Sequence, residues 1–288
     1  GIASNDIASL LLDQHGDLWL GTSGAGIIHY RGEAFSSYRG FAPVSIAEDP
    51  KGTLWVGTNL GLARFDGHGF QEQKWLESDV EWNHSVSIDP QGHVGFGKNV
   101  IDRQQNGSSW FDGTHYRVIS VPDNSPYQDM FWTMHDRRGG LWLGGRRGAE
   151  HYADGRRTIY TTRQGLSSDM VLALAEDEAG SIWVGGGEGF CRIDSTRITV
   201  WTMKEGLPNN IVWCVVPEPG GTLWVCTLAG LCRFDGRSFL TINRQHGLPD
   251  DNINQAFLAR DGKALYVGTL NGIGVITGWR DASGTHIP

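Results

Sequence analysis

One nine-residue pattern, D-x-x-G-x-(L/I)-W-(L/V)-G, recurs along the chain and limits what it can fold into more than any other feature. It reads DQHGDLWLG at Asp13–Gly21, DPKGTLWVG at Asp49–Gly57, DRRGGLWLG at Asp136–Gly144 and DEAGSIWVG at Asp177–Gly185. Three further copies are worn. Asp89–Gly97 reads DPQGHVGFG, with Gly95 where Trp stands elsewhere. Pro219–Cys226 reads PGGTLWVC, and Asp261–Gly268 reads DGKALYVG, with Tyr266 for Trp and one residue fewer than the motif. The anchors Trp19, Trp55, Gly95, Trp142, Trp183, Trp224 and Tyr266 are spaced by 36, 40, 47, 41, 41 and 42 residues.

Each copy carries the parts of four short strands. An apolar run precedes the motif, as in Val171–Glu176. A Gly and an alternating run follow it, as in Gly230–Gly236, and then a polar–aromatic run such as Ser238–Asn243. Gly and Asp turns separate them. A small twisted sheet cannot cover both its faces, but radial stacking can. The expectation is therefore an all-β chain: a seven-bladed β-propeller of four-stranded antiparallel blades, forming one domain over residues 1–288. The 41 glycines and 12 tryptophans suit that reading. The motif itself is structural. Its Asp accepts N–H bonds within a hairpin turn, and its Trp fills the wedge between blades.

A net charge of −8 and a pI near 5.6, without a long basic run, argue against nucleic acid and anionic membrane as partners. No apolar stretch is long enough to insert into a bilayer. The four cysteines, Cys191, Cys214, Cys226 and Cys232, form no C-x-x-C pair. They are read as small buried apolar residues, with a disulfide between neighbouring strands as the alternative. No metal or cofactor is expected.

A second signature precedes several copies. It is clear in Gly206-Leu207-Pro208-Asn209-Asn210 and Gly247-Leu248-Pro249-Asp250-Asp251, and varied in Gly165–Asp169 and Gly1–Asn5. The combined GLPxN, ED-x-x-G-x-LW-V/I-G-T and G-L-x-R-F-DG pattern resembles the two-component regulator propeller repeat over nearly the whole chain. The first, second, fifth and sixth copies carry it best. The resemblance implies a sensor propeller of bacterial hybrid two-component systems. Such a propeller binds a small-molecule or carbohydrate ligand, lies in the periplasm or outside the cell, and signals through other domains of a longer parent. A cytoplasmic location is the alternative. Gly1 falls inside the GLPxN motif, which suggests either an excised domain or a ring closed by Gly284–Pro288.

Ligands of propellers usually sit where the loops between successive blades meet the loops between second and third strands. Asn5, Asp169, Asn210 and Asp251 occupy equivalent places in the first set of loops, as ligand contacts or as Asx turns. The departures from the repeat cluster in the third and fourth copies. Glu81, Trp82 and His84, then Gln128, Asp129 and Trp132, lie at inner-strand entrances. Lys98 and Trp110 bound an enlarged loop, and Arg146 and Arg147 occupy a turn where other copies have mostly small or neutral residues. Stacking on Trp and a forked grip by Arg suit a sugar-like or acidic ligand. Adjacent residues of a strand alternate faces, so one of the two arginines points inward.

Catalytic motifs such as G-x-S-x-G, H-E-x-x-H and a P-loop do not occur. Glu81 and His84 are the weak candidates for an acid/base pair. Three functions stay open: a ligand-binding sensor, a propeller enzyme similar to streptogramin lyases or a hydrolase, and a scaffold for another protein. The balance leans away from catalysis.

Overall fold

A computed structural model describes residues 4–32, 34–40, 42–58, 61–73, 85–89, 91–98, 107–112, 115–120 and 130–279. Within them the chain forms successive antiparallel sheets, each made of consecutive strands. Blade 1 comprises Ile7–Leu12, Leu18–Thr22, Gly26–Arg31 and Ala34–Tyr38. Blades 2 to 6 repeat this order, and their innermost strands are Pro43–Glu48, Val86–Ile88, Met130–His135, Val171–Glu176 and Val212–Glu218. A last sheet follows with strands Ile253–Leu258, Ala264–Thr269 and Gly272–Thr277. Its inner strand packs against that of blade 1, so the sheets close into a ring around a central channel.

The expectation of a seven-bladed propeller of four-stranded blades is corrected by this topology. Six blades have four strands, and the sheet after blade 6 has three among the described residues. The sequence there supplies a different part. After Thr277 the chain places Trp279 edge-on against Trp224 of blade 6, with ring centroids 5.6 Å apart. The Trp279 indole donates to Glu218 Oε1 at 2.6 Å. The turn of that sheet also differs from the sequence reading. Ala259, not Asp261, occupies the place of the turn acid, because Gly262 N donates to Ala259 O and Ala259 N to Ala264 O.

The D-x-x-G motif works as its residue types dictate. In blade 1, Asp13 Oδ1 accepts the backbone N–H groups of His15 and Asp17, each at 2.9 Å. Its Oδ2 takes the Trp19 indole N–H at 2.8 Å. Asp49–Trp55, Asp136–Trp142 and Asp177–Trp183 repeat the arrangement at 3.1, 3.0 and 2.8 Å. Blade 3 solves the same problem without Trp. His93 Nδ1 bonds Asp89 Oδ2 at 2.6 Å, and His135 of blade 4 fills the space beside Gly95. A Cβ at Gly95 would lie 2.9 Å from His135 Cε1.

Where the motif closes on glycine, as at Gly21, Gly144 and Gly185, that glycine lets the next blade approach. A Cβ at Gly144 would lie 2.5 Å from Val171 Cγ1 of blade 5. Interiors packed at crystal-like density leave no room for that methyl group. The Trp19, Trp55, Trp142, Trp183 and Trp224 side chains are all buried in these wedges. All four cysteines are buried and free, as expected for small apolar residues.

Candidate functional site

The GLPxN segments are stitches between blades. Gly165, Gly206 and Gly247 end one-turn 3-10 helices in the left-handed conformation, at φ of 108°, 110° and 95°. Leu166, Leu207 and Leu248 are buried behind them. Asp169, Asn210 and Asp251 then do two jobs. Their Oδ1 atoms accept from Thr162, Met203 and Arg244 N at 2.6–2.8 Å. Their backbone carbonyls accept from Gly148, Gly189 and Gly230 N at 2.6, 2.7 and 2.7 Å. The second set of bonds ties each inter-blade loop to a turn between second and third strands. Both kinds of loop therefore share one face of the ring.

On that face, at the channel mouth, lies a cavity of about 520 Å³. It follows from one repeated irregularity. The inner strands of blades 1, 2, 4, 5 and 6 and of the three-stranded sheet each shift register after their first residue. The extra residues are Ala8, Val44, Phe131, Leu172, Trp213 and Asn254. A β-bulge of this kind re-aims a side chain and raises local twist. All of these except Phe131, whose side chain lies outside the described residues, line the cavity.

Two sectors differ in chemistry. Blades 4 to 6 contribute Trp132, Arg146, Met170, Leu172 and Trp213. Met170 and Trp213 are 38% and 36% exposed, high for large apolar groups on a folded chain. The facing sector supplies Asp6, Ser23, Ser45, Asn254 and Gln255, with Leu270 beside them. These polar groups are held in place. Asn254 Nδ2 donates to Asp6 Oδ1 at 3.3 Å and to Ile7 O at 3.0 Å. Gln255 Oε1 accepts from Leu10 N at 2.8 Å, and Ser45 Oγ from Val86 N at 2.8 Å. Each of the last two bonds joins neighbouring inner strands.

Of the residues singled out from sequence, the cavity brings together Trp132 and Arg146. Arg147 is exposed on the same turn but does not line it. Asn5 is exposed beside Asp6. Lys98 lies on the second strand of blade 3 and Trp110 on its third. Glu81, Trp82, His84, Gln128 and Asp129 lie outside the described residues, as does Gly284–Pro288. Trp213, Asp6 and Asn254 were not visible as site residues in the sequence. The available signal was the second residue of each inner strand, which is Ala, Val or Leu in three repeats but Trp at 213 and Asn at 254.

A second cavity of about 350 Å³ opens at the other end of the channel, among the D-x-x-G hairpins. Glu48 there accepts from Gln14 N at 2.9 Å and from Arg260 at 2.8 Å. Burial holds the His135 imidazole below its ordinary pKa, against the pull of Asp89 and Asp136. Asp13, Asp17 and His29 also gather ligand-type atoms within 4.8 Å of one another. Those atoms are already engaged. Asp17 Oδ2 takes Arg31 Nε at 2.8 Å and His29 Nε2 at 3.0 Å, and Asp13 Oδ2 holds Trp19. The group is an ion-paired cluster on blade 1.

Sheet order, ring closure and the mouth cavity together define a β-propeller with a cleft over its channel. The chain is an all-β propeller, and three stretches of it match repeats of the two-component regulator type. Residues 1–24, 41–60 and 165–188 match the family described as two component regulator propeller. Among solved structures it is similar to the extracellular domain of the hybrid two component system BT3049 from B. thetaiotaomicron, at 20% identity and a TM-score of 0.83. That match covers 96% of this chain and 39% of the other. It is also similar to virginiamycin B lyase from Staphylococcus aureus in complex with quinupristin, at 15% identity and a TM-score of 0.77, over 96% and 97% of the two chains. PorZ, a surface component of the type-IX secretion system of Porphyromonas gingivalis, gives 16% identity and a TM-score of 0.77, over 99% and 48%. At these identities the likeness is one of fold. The chain spans about two fifths of the length of the B. thetaiotaomicron domain. No curated protein sequence matches it.

Proposed function

We propose that this propeller is the ligand-binding module of an extracellular or periplasmic sensor. Its site is the mouth cavity, and its ligand is a small polar, sugar-like or acidic molecule. The observation that supports this most is the convergence of bulged inner-strand residues on one cavity. A concave site of this size with exposed indole surface and a few fixed polar groups is the usual form of a small-molecule site. Trp132 and Trp213 supply stacking faces. Arg146 supplies a forked donor for a carboxylate. Asp6, Asn254 and Gln255 supply a polar edge. The family match and the extracellular two-component neighbours favour a sensor role and a longer parent protein.

The test is a thermal-shift screen of neutral disaccharides, sugar acids, organic acids and short peptides on wild type, Trp213→Ala and Arg146→Gln. A ligand at 100 times its Kd stabilises the folded state by about 2.7 kcal/mol. The proposal expects a shift in wild type that Trp213→Ala abolishes. A shift unchanged in Trp213→Ala would place the ligand elsewhere.

A lyase-like reading needs a general acid or base at the mouth. Among the described residues the cavity lining includes one carboxylate, Asp6, and no histidine. The Glu81–His84 pair lies outside the described residues, and the family match is what favours the sensor reading.

A further inference from the structure

Blade 6 departs from the repeat at two positions that face each other. The motif closes on glycine in six of its seven copies and on Cys226 in blade 6. Directly opposite Cys226, on the inner strand, stands Cys214. The same pairing sets Ser9 against Gly21, Ala173 against Gly185 and Gln255 against Gly268. Space there is short. A Cβ on Gly185 would lie 3.0 Å from the Ala173 Cβ, and one on Gly21 2.2 Å from Ser9 Oγ. Side chains on both strands are therefore forced together, and in blade 6 both are thiols. Trp213, the extra residue of the bulge, lies between the Val212 and Cys214 pairings and lines the mouth.

We infer that Cys214 and Cys226 are a redox pair, which closes a cross-strand disulfide in an oxidising compartment and pins the bulge that carries Trp213. Directly opposed residues of antiparallel strands have Cα atoms about 4.5–5.5 Å apart, within the span of a disulfide. Cys191 and Cys232 stand opposite Val184 and Val225 instead. Burial pushes the Cys226 thiol up, while its hydrogen bond to Cys214 favours the thiolate there. The oxidant is another disulfide, small or on a protein. The Cys214 thiolate attacks one of its sulfurs and expels the other as a thiolate. The Cys226 thiolate then attacks Cys214 Sγ in the mixed disulfide and expels the second thiolate. Two protein thiols become one disulfide, and the oxidant leaves as two thiols that carry the protons. Both sulfurs are buried once the wedge with Trp224 and Trp279 has closed, so the exchange belongs to folding. The reduced form keeps all four thiols, and the oxidised form keeps Cys191 and Cys232. The bond depends on no ligand at the mouth, only on the oxidising surroundings of the extracellular or periplasmic location proposed above.

The experiment is refolding of the whole chain from urea in two buffers, one with reduced glutathione alone and one with a mixture of oxidised and reduced glutathione. Thiols are counted after acid quench and denaturation, and unreduced peptides are mapped by mass. The first buffer should give four thiols. The second should give two, with residues 214 and 226 in one linked peptide. The linked protein should have a higher urea midpoint than the reduced protein, and slower amide exchange at residues 212–214. Cys214→Ser and Cys226→Ser should each form no internal link and show neither gain. Four thiols from both buffers would overturn the pair. So would a link through Cys191 or Cys232, or glutathione left on Cys214 in place of the bond to Cys226. A 214–226 link with unchanged exchange at residues 212–214 would overturn the pinning of Trp213. No ligand enters these measurements, so the mouth site stands or falls separately.

Discussion

The Asp13 carboxylate holds the Trp19 indole N–H at 2.8 Å while its other oxygen holds two turn amides. One side chain thus fixes a hairpin and aims the wedge residue between two blades. Replacing Asp13 by Ala would leave a buried N–H and two turn amides without an acceptor. A loss of about 2–4 kcal/mol is expected, read as a lower urea midpoint. Asp136→Ala should behave alike. A loss below about 0.5 kcal/mol in both would show that the bond does not support the blade.

Blade 6 breaks the rule, and that gives a comparison. Glu218 stands at the turn-acid position and binds the Trp279 indole and Arg233, at 2.6 and 3.4 Å. The Trp224 indole N–H is left buried without a partner. Trp224→Phe therefore removes an unsatisfied group, whereas Trp19→Phe removes a satisfied one. Trp19→Phe should cost about 1–3 kcal/mol more than Trp224→Phe in matched urea titrations. Equal costs would contradict the assignment.

Acid should weaken the fold in two stages. Burial depresses the His135 pKa below 6.5, although Asp89 and Asp136 oppose it and His93 adds to it. A folded-state pKa below the unfolded value means that unfolding takes up a proton. Stability is thus complete above pH 6.5 and falls as pH drops through the folded value. His135→Gln should flatten this stage in stability measured from pH 8 to 5. The second stage belongs to Asp136. Burial pushes its pKa up, but the bonds from Gly140, Trp142 and His151 outweigh that and hold it below 3.8. Its contribution is present above that value and fades as pH falls further.

The four thiols are free and buried, and burial pushes Cys191 and Cys232 up to about 11. Cys214 and Cys226 face each other across two strands of blade 6. A thiol reagent at pH 8 should find almost nothing in the native protein and four thiols after denaturation. A count of two after denaturation would reveal the cross-strand disulfide instead.

Much of the architecture was legible because its causes are local. The Asp, Gly and Trp of each repeat act within one hairpin, so their spacing in sequence survives as spacing in space. Blade boundaries follow from it. The last sheet was misread because its difference is long-range: Trp279 serves blade 6, an attachment that the repeat pattern does not encode. The role of His135 was hidden for the same reason, since it fills a gap left by Gly95 in another blade. The site was legible only in part. Trp132 and Arg146 stood out as departures from the repeat. Trp213 did not, because an apolar residue on an inner strand reads as core until the bulge between Val212 and Cys214 turns it to the channel.

The central claim is that ligand is held at the mouth by the bulged ends of the inner strands. Hydrogen exchange with and without the best ligand from the thermal-shift screen tests it most directly. Protection should concentrate at residues 6–8, 44–45, 170–172, 212–214 and 253–255, and should vanish in Trp213→Ala. Protection confined to the opposite face, around residues 48–50, 88–89, 135–137 and 260, would contradict the claim and move the site to the other end of the channel.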